Sequence, residues 1–211
     1  MNPTPEKTSV MAPFILMLFL YFIVGLFTVI NQQFQVPLKS ALLPHDGNMT
    51  NALVTLLNFS WFLAYPFSEG FATRWVDRLG YRKTSVYSLL IFIAGLGFYE
   101  AAVLLHIYAP SYITIMGNPI FTGFFIFLSG SFVIGMAVTI LQVVTGLYLD
   151  VNPVGKTTPL QRQMIGGTTN SIGMAIGPLV VSYIIFYGIP LHNVQSREFI
   201  WPVICLIAII C

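Results

Sequence analysis

Two glutamines lie within long apolar segments, where a polar side-chain amide is unusual. Gln32 follows Gly25 by seven residues in FIVGLFTVINQQ, and Gln142 follows Gly135 by seven in FVIGMAVTILQV. The two segments are 110 residues apart and open alike, with Phe, two apolar residues and Gly. An amide in an apolar helix is costly unless it finds partners, so it usually faces a bundle interior or a water-filled cavity. We therefore expect Gln32 and Gln142 to line one central cavity on the path of a polar solute.

The composition places these segments in a membrane. Apolar residues make up 56% of the chain and charged residues 8%, whereas a soluble domain carries about a quarter charged residues. The formal net charge of +2 gives no reason to expect nucleic-acid binding. The sequence predicts an all-α membrane protein with a cytoplasmic tail at 1–11 and a membrane unit at 12–211. Its spans are expected at about 12–36, 51–71, 84–107, 120–149 and 164–187, with a sixth at 199–211.

The sixth predicted span has about 13 residues, where crossing a bilayer takes about 20. We therefore expect the sequence to be part of a longer one. With the N-terminus inside, the cytoplasmic segments hold seven of the lysines and arginines and the outer loops hold two. Because basic residues favour the cytoplasmic side, this count predicts a cytoplasmic N-terminus.

A repeat extends beyond the two glutamine segments. Asn58 is followed eight residues later by Pro66 in the second span, and Asn170 is followed eight residues later by Pro178 in the fifth. This second offset, 112 residues, is close to the first. The matching units are spans one to three and four to six, and three is an odd number, so the second unit enters the membrane from the opposite side. Inverted repeats of this kind are common in transporters, whose site lies near mid-membrane between the repeats.

A charged loop between the second and third predicted spans reads DRLGYRK. Gly80 permits a tight reversal there, and Asp77 is placed to cap the next helix or pair with a nearby arginine. With one inserted residue, the motif resembles the conserved loop of the major facilitator superfamily. In that superfamily the loop stabilises one of the inward-facing and outward-facing states. The resemblance falls on Asp77, Arg78, Gly80, Arg82 and Lys83.

Within that superfamily, three tracts resemble the family of fucose–proton symporters and glucose/galactose transporters. They are INQQFQVPLK, GMAVTILQ and the tract that holds Arg162, Asn170, Ser171, Gly173 and Pro178. The resemblance implies the N-terminal six-helix half of a twelve-helix protein in a bacterial inner membrane, with the C-terminal half as its missing partner. It also implies a small-molecule sugar as substrate, carried with protons by two acids that fall on Gln32 and Gln142.

Both of those positions have lost the carboxylate. Glutamine does not titrate near neutral pH but keeps the donors and acceptor that a sugar hydroxyl needs. We therefore expect uniport, or coupling by another ion or acid. Glu100 and Glu69 are the candidate coupling acids, because an intramembrane acid is a functional candidate.

Sugar sites combine a few amides with an aromatic face. The expected substrate-binding residues are Gln32, Gln142, Asn31, Asn170, Asn58 and Trp61. No cofactor, metal site or enzymatic activity is expected, since the three histidines lack metal-ligand spacing. Two other interpretations stay open: a membrane sensor or assembly subunit that keeps the fold without transporting, and a half-size transporter that works as a homodimer.

Overall fold

The computed structural model describes residues 11–34, 48–115 and 118–187, together with Pro37 and Leu43. Four helices in this part of the chain are long and apolar enough to cross a membrane. We name them α1 (Met11–Gln33), α2 (Asn48–Tyr108), α3 (Gly123–Val151) and α4 (Pro159–Val180). The predicted sixth span, 199–211, and most of the predicted tail lie outside the described residues.

Helix α2 holds two of the predicted spans, because it is broken at Gly80. Its 61 residues would extend about 90 Å if straight, three times the thickness of a bilayer core. Gly80 has φ 78° and ψ 167°, a conformation that only glycine adopts without strain. The rings of Trp75 and Tyr87 on either side of it lie 6.2 Å apart, so the chain reverses there. We call residues 48–79 the N-terminal arm and residues 81–108 the C-terminal arm.

The predicted charged loop is therefore shorter than expected. The N-terminal arm continues as helix through residue 79 rather than ending near residue 71. Helix α3 also begins later than expected, because residues Tyr112–Ile115 and Asn118–Phe121 form an antiparallel hairpin, β1 and β2. The β-branched and aromatic residues of YITI favour a strand, and Pro110 stops the preceding helix.

Helix α4 begins at a capping box. The Thr158 hydroxyl accepts a hydrogen bond from the Gln161 backbone N–H at 3.3 Å, and the Gln161 side chain accepts one from the Thr158 N–H at 2.9 Å. Pro159 follows at the first helical position, where a missing N–H costs nothing. Near its other end, Pro178 precedes a π-helical turn at Val181–Ile185, where the backbone adjusts to the lost donor.

A pair of glycine contacts shows how the two units pack. Gly25 on α1 lies against the backbone and side chain of Asn170 on α4, and Gly135 on α3 lies against the backbone of Trp61 on α2. The glycines are 110 residues apart and their partners 109. Each unit thus packs its glycine against the other unit at a similar place, and Trp61 lies one helical turn from Asn58, the sequence match of Asn170.

Two buried serines join the N-terminal arm of α2 to α3. Ser60 donates to the Leu128 carbonyl at 3.0 Å, and Ser131 donates to the Leu57 carbonyl at 3.1 Å. Both bonds lie within the apolar interface, where side-chain hydrogen bonds between helices help membrane bundles to associate. The arm and α3 therefore pack in one fixed register.

Candidate functional site

Asn31 lies buried near the end of α1, with one half of its amide paired. The Tyr99 hydroxyl on the C-terminal arm of α2 donates to Asn31 Oδ1 at 2.9 Å. Asn31 is 5% exposed, and its Nδ2 has no hydrogen-bond partner. The Asn31 side chain is thus held in place by one oxygen while its two N–H donors stay free.

A small cavity separates Asn31 from Trp61. Trp61 on the N-terminal arm is 1% exposed, and its indole N–H makes no hydrogen bond, although the Tyr65 hydroxyl lies near it. The cavity leaves about 10 Å³ for the centre of a water molecule, which suits roughly one water and excludes a sugar. Its lining is formed by Phe27, Ile30, Asn31, Phe34, Trp61, Phe92, Leu96, Tyr99 and Ile134.

Asn58 and Asn170, the matching asparagines of the two units, share one feature. Each is half-buried, and each has a side-chain Oδ1 that is buried without a hydrogen-bond partner. Asn170 is seated against Gly25, where a Cβ would overlap both its carbonyl oxygen and its Oδ1. Gly25 is therefore the residue that lets this asparagine approach α1.

The unpaired polar atoms coincide with the candidate site. Within the part of the chain that the structure describes, five buried side-chain polar atoms lack a partner. A buried polar group left without a partner costs about 1–3 kcal/mol, and buried polar groups in proteins are usually paired with protein or water. Such groups persist where a ligand or water pairs with them. Four belong to predicted substrate-binding residues and the fifth to a predicted coupling acid: Asn31, Asn58, Trp61, Asn170 and Glu100.

Gln32 and Gln142 hold none of these buried, unpaired atoms. Both are half-buried, and neither lines the cavity. Gln142 lies eight residues beyond the cavity residue Ile134, or about 12 Å along α3, so the cavity beside Asn31 does not join the two glutamines. Their amide ends are neither buried nor bonded within the described residues. They remain open to whatever covers this surface.

The charged motif at the break of α2 is exposed. Asp77, Arg78, Arg82 and Lys83 make no ion pair or hydrogen bond with any residue in the described ranges, so the expected pairing of Asp77 with an arginine is not formed. Glu69 is likewise exposed and unpaired there. Of the two candidate acids, Glu100 alone has a buried, unpaired oxygen.

The side chains that most often bind metal ions are dispersed in the described ranges. No group of three or more His, Cys, Asp or Glu side chains is close enough there to hold an ion. The candidate site is built from amides and aromatic rings, which bind hydroxyl groups by hydrogen bonds and ring stacking. The arrangement is suited to holding a neutral polar solute.

Sequence reasoning missed Tyr99, which positions Asn31 from 68 residues away. Its ring also stacks on Phe127, with centroids 3.7 Å apart. The signal was available in the helical spacing of Phe92, Leu96 and Tyr99, which places this hydroxyl on the buried face of its arm. No local pattern, however, indicates which residue of α1 that face meets.

Comparison with known proteins supports the fold. No protein-family model matches the sequence, and no curated protein matches it either. Among solved structures, the chain is similar to the xylose transporter XylE from E. coli in its inward open conformation, with a TM-score of 0.64 and 14% sequence identity. The match covers 95% of this chain and 47% of the transporter, so the chain spans about half of its length. The protein has the fold of one half of a major facilitator superfamily transporter.

Proposed function

We propose that the chain is the N-terminal half of a transporter that carries a neutral sugar across a membrane by alternating access. One observation supports the proposal most strongly: in the described residues, four of the five buried side-chain polar atoms without partners belong to the predicted substrate-binding residues. Asn31, Asn58, Trp61 and Asn170, on three different helices, each hold a buried polar atom without a partner. The similarity to a xylose transporter supports the same substrate class.

The chemistry of these groups suits a neutral polyol. Asn31 Nδ2 and the Trp61 indole N–H are donors, whereas the Oδ1 atoms of Asn58 and Asn170 are acceptors. Hydroxyl groups and water both donate and accept, so a neutral polyol and an ordered water beside it can pair with both kinds. No cationic or anionic side chain lines the cavity beside Asn31.

The sugar would lie on the surface of this half and not inside it. The internal cavity holds roughly one water, whereas Gln32 and Gln142 present accessible amides on helices α1 and α3. A second half covering this surface would enclose the substrate, and rocking of one half against the other would expose it to either side. We place the protein in a bacterial inner membrane with its N-terminus in the cytoplasm, as the distribution of basic residues predicts.

Coupling, if present, would not pass through the glutamines, because neither titrates near neutral pH. Uniport is the simplest mechanism for such a site. Glu100 is the acid best placed to bind a coupling proton, since one of its oxygens is buried and unpaired. We propose that the protein is related to the fucose–proton symporters, as its sequence resemblance implies, and that its coupling mechanism has changed.

Equilibrium binding of neutral hexoses and pentoses to purified full-length protein tests the proposal. Asn170→Ala and Asn58→Ala should each weaken the affinity about 2- to 12-fold, the loss of one net hydrogen bond. Asn51→Ala is the matched control, because Asn51 is exposed at the start of α2. Equal affinity in all of these proteins, or no binding of any neutral sugar, would remove the proposed site.

Uptake into proteoliposomes tests the coupling. A pH gradient should fail to drive sugar accumulation in the Glu69→Gln, Glu100→Gln double variant, while exchange of labelled for unlabelled sugar continues. Uphill uptake that persists in this variant would show that protons are coupled elsewhere.

A further inference from the structure

An open depression lies beside the break in α2, away from the candidate sugar site. It has a volume of about 350 Å³ and is lined by Arg82, Lys83, Val86 and Tyr87. All four residues are exposed and belong to the first turns of the C-terminal arm. The depression therefore combines two cationic groups, a phenol hydroxyl and an apolar floor.

The cationic groups have no counter-ion in the described part of the chain. Arg82 and Lys83 make no ion pair or hydrogen bond there. Residues 69–81 hold two basic and two acidic side chains, so the net positive charge of this region belongs to Arg82 and Lys83 themselves. An anion that entered the depression would meet two unpaired cations at once.

An apolar stripe continues from the basic pair along the outer face of the same arm. Val86 is 51% exposed and Leu90 55%, and at helical spacing they are followed by the exposed residues Ala94, Gly97 and Ala101. From Val86 to Ala101 the stripe is about 22 Å long, most of the thickness of a bilayer core. Trp75, whose ring contacts that of Tyr87 at 6.2 Å, supplies the aromatic anchor typical of a membrane interface.

We propose that this depression binds the head group of an anionic phospholipid. Arg82 and Lys83 contact the phosphate oxygens, Tyr87 donates from its hydroxyl, and an acyl chain follows Val86 and Leu90. A free phosphate offers the same oxygens but has no acyl chain to pack on the apolar stripe. The stripe therefore favours a lipid over a phosphate ion. The bound lipid would hold the break of α2 at the membrane surface, where the two arms turn.

Native mass spectrometry of the full-length protein, with added phosphatidylglycerol or phosphatidylcholine, tests the proposal. Wild-type protein should retain one phosphatidylglycerol in preference to phosphatidylcholine. The Arg82→Gln, Lys83→Gln variant should bind it about 25-fold more weakly, since each basic residue near an anionic surface contributes a factor of about five. The Arg74→Gln, Arg78→Gln variant removes the same charge from the neighbouring arm and should bind as wild type.

Two further measurements complete the test. Val86→Glu places a carboxylate on the exposed stripe without touching the basic pair, and it should also weaken phosphatidylglycerol binding. Glycerol phosphate should not compete. The proposal is overturned if both double variants lose the lipid equally, because that result indicates diffuse electrostatic attraction. It is also overturned if glycerol phosphate displaces the lipid, because that result indicates a simple anion site. Unchanged binding in the Arg82→Gln, Lys83→Gln variant would show that these cations serve another partner, such as an acidic segment of the second half.

Discussion

The hydrogen bond between Tyr99 and Asn31 offers the sharpest test of the candidate site's construction. Tyr99→Phe removes a single oxygen atom and keeps the ring that stacks on Phe127 at 3.7 Å. Asn31 Nδ2 already lacks a partner, so the variant would leave both ends of the amide unpaired. The variant should be less stable than the wild type. It should also bind sugar more weakly, because the Asn31 amide is no longer held in one orientation.

The magnitude follows from burial. A net hydrogen bond contributes about 0.5–1.5 kcal/mol in proteins, and double-mutant cycles in membrane helices average about 0.6 kcal/mol with a maximum near 1.7. Tyr99 is 2% exposed and Asn31 5%, so bulk water does not reach either partner, and the cavity beside them holds roughly one water. We expect a coupling free energy of about 1–1.5 kcal/mol between the two side chains.

The assay is a double-mutant cycle of Tyr99→Phe and Asn31→Leu on full-length protein, with reversible unfolding in mixed micelles as the readout. Tyr148→Phe is the matched control. Tyr148 is half-buried and packs on the ring of Tyr81 at 5.3 Å, but its hydroxyl makes no hydrogen bond within the described residues. A coupling below about 0.3 kcal/mol between Tyr99 and Asn31, the level of independent sites, would refute the reasoning.

Two other substitutions probe the frame around the site, with thermal unfolding as the measurement. Gly173→Leu should destabilise the protein by about 1–3 kcal/mol or more, because a Cβ there would overlap the Phe22 carbonyl of α1. Gly167→Leu should be tolerated, because a Cβ at Gly167 meets open space. Equal destabilisation by both substitutions would contradict the packing. Arg162→Leu should cost about 1–3 kcal/mol or more, because this 3% exposed guanidinium donates to the carbonyls of Leu149, Thr157 and Asp150 at 2.6–2.8 Å. Arg78→Leu, at an exposed position, should cost little, and a similar loss there would show that charge alone matters.

Much of the fold could be predicted from the sequence because a bilayer imposes length and polarity on its helices. Gly173 and Gly177 lie four residues apart, a spacing typical of close helix packing, and both glycines contact α1. Gly80 was predicted to allow a reversal, and it does so with a positive φ. These are local properties, which residue types and spacing carry.

The parts that could not be predicted depend on distant contacts. Arg162 is one case: in the sequence it is one basic residue among several, and in the fold it satisfies backbone carbonyls at the end of α3. The two glutamines are another. The repeat relates their positions, but neither glutamine lines the cavity beside Asn31, and only the three-dimensional packing shows this.

The most direct measurement is a structure of the full-length protein with a neutral sugar bound. We predict sugar oxygens within about 3.2 Å of Asn170 Oδ1 and Asn58 Oδ1, with Asn31 Nδ2 bonded to the sugar or to one ordered water. A sugar held only by the second half, with Asn31, Asn58, Trp61 and Asn170 all out of reach and still unpaired, would contradict the account.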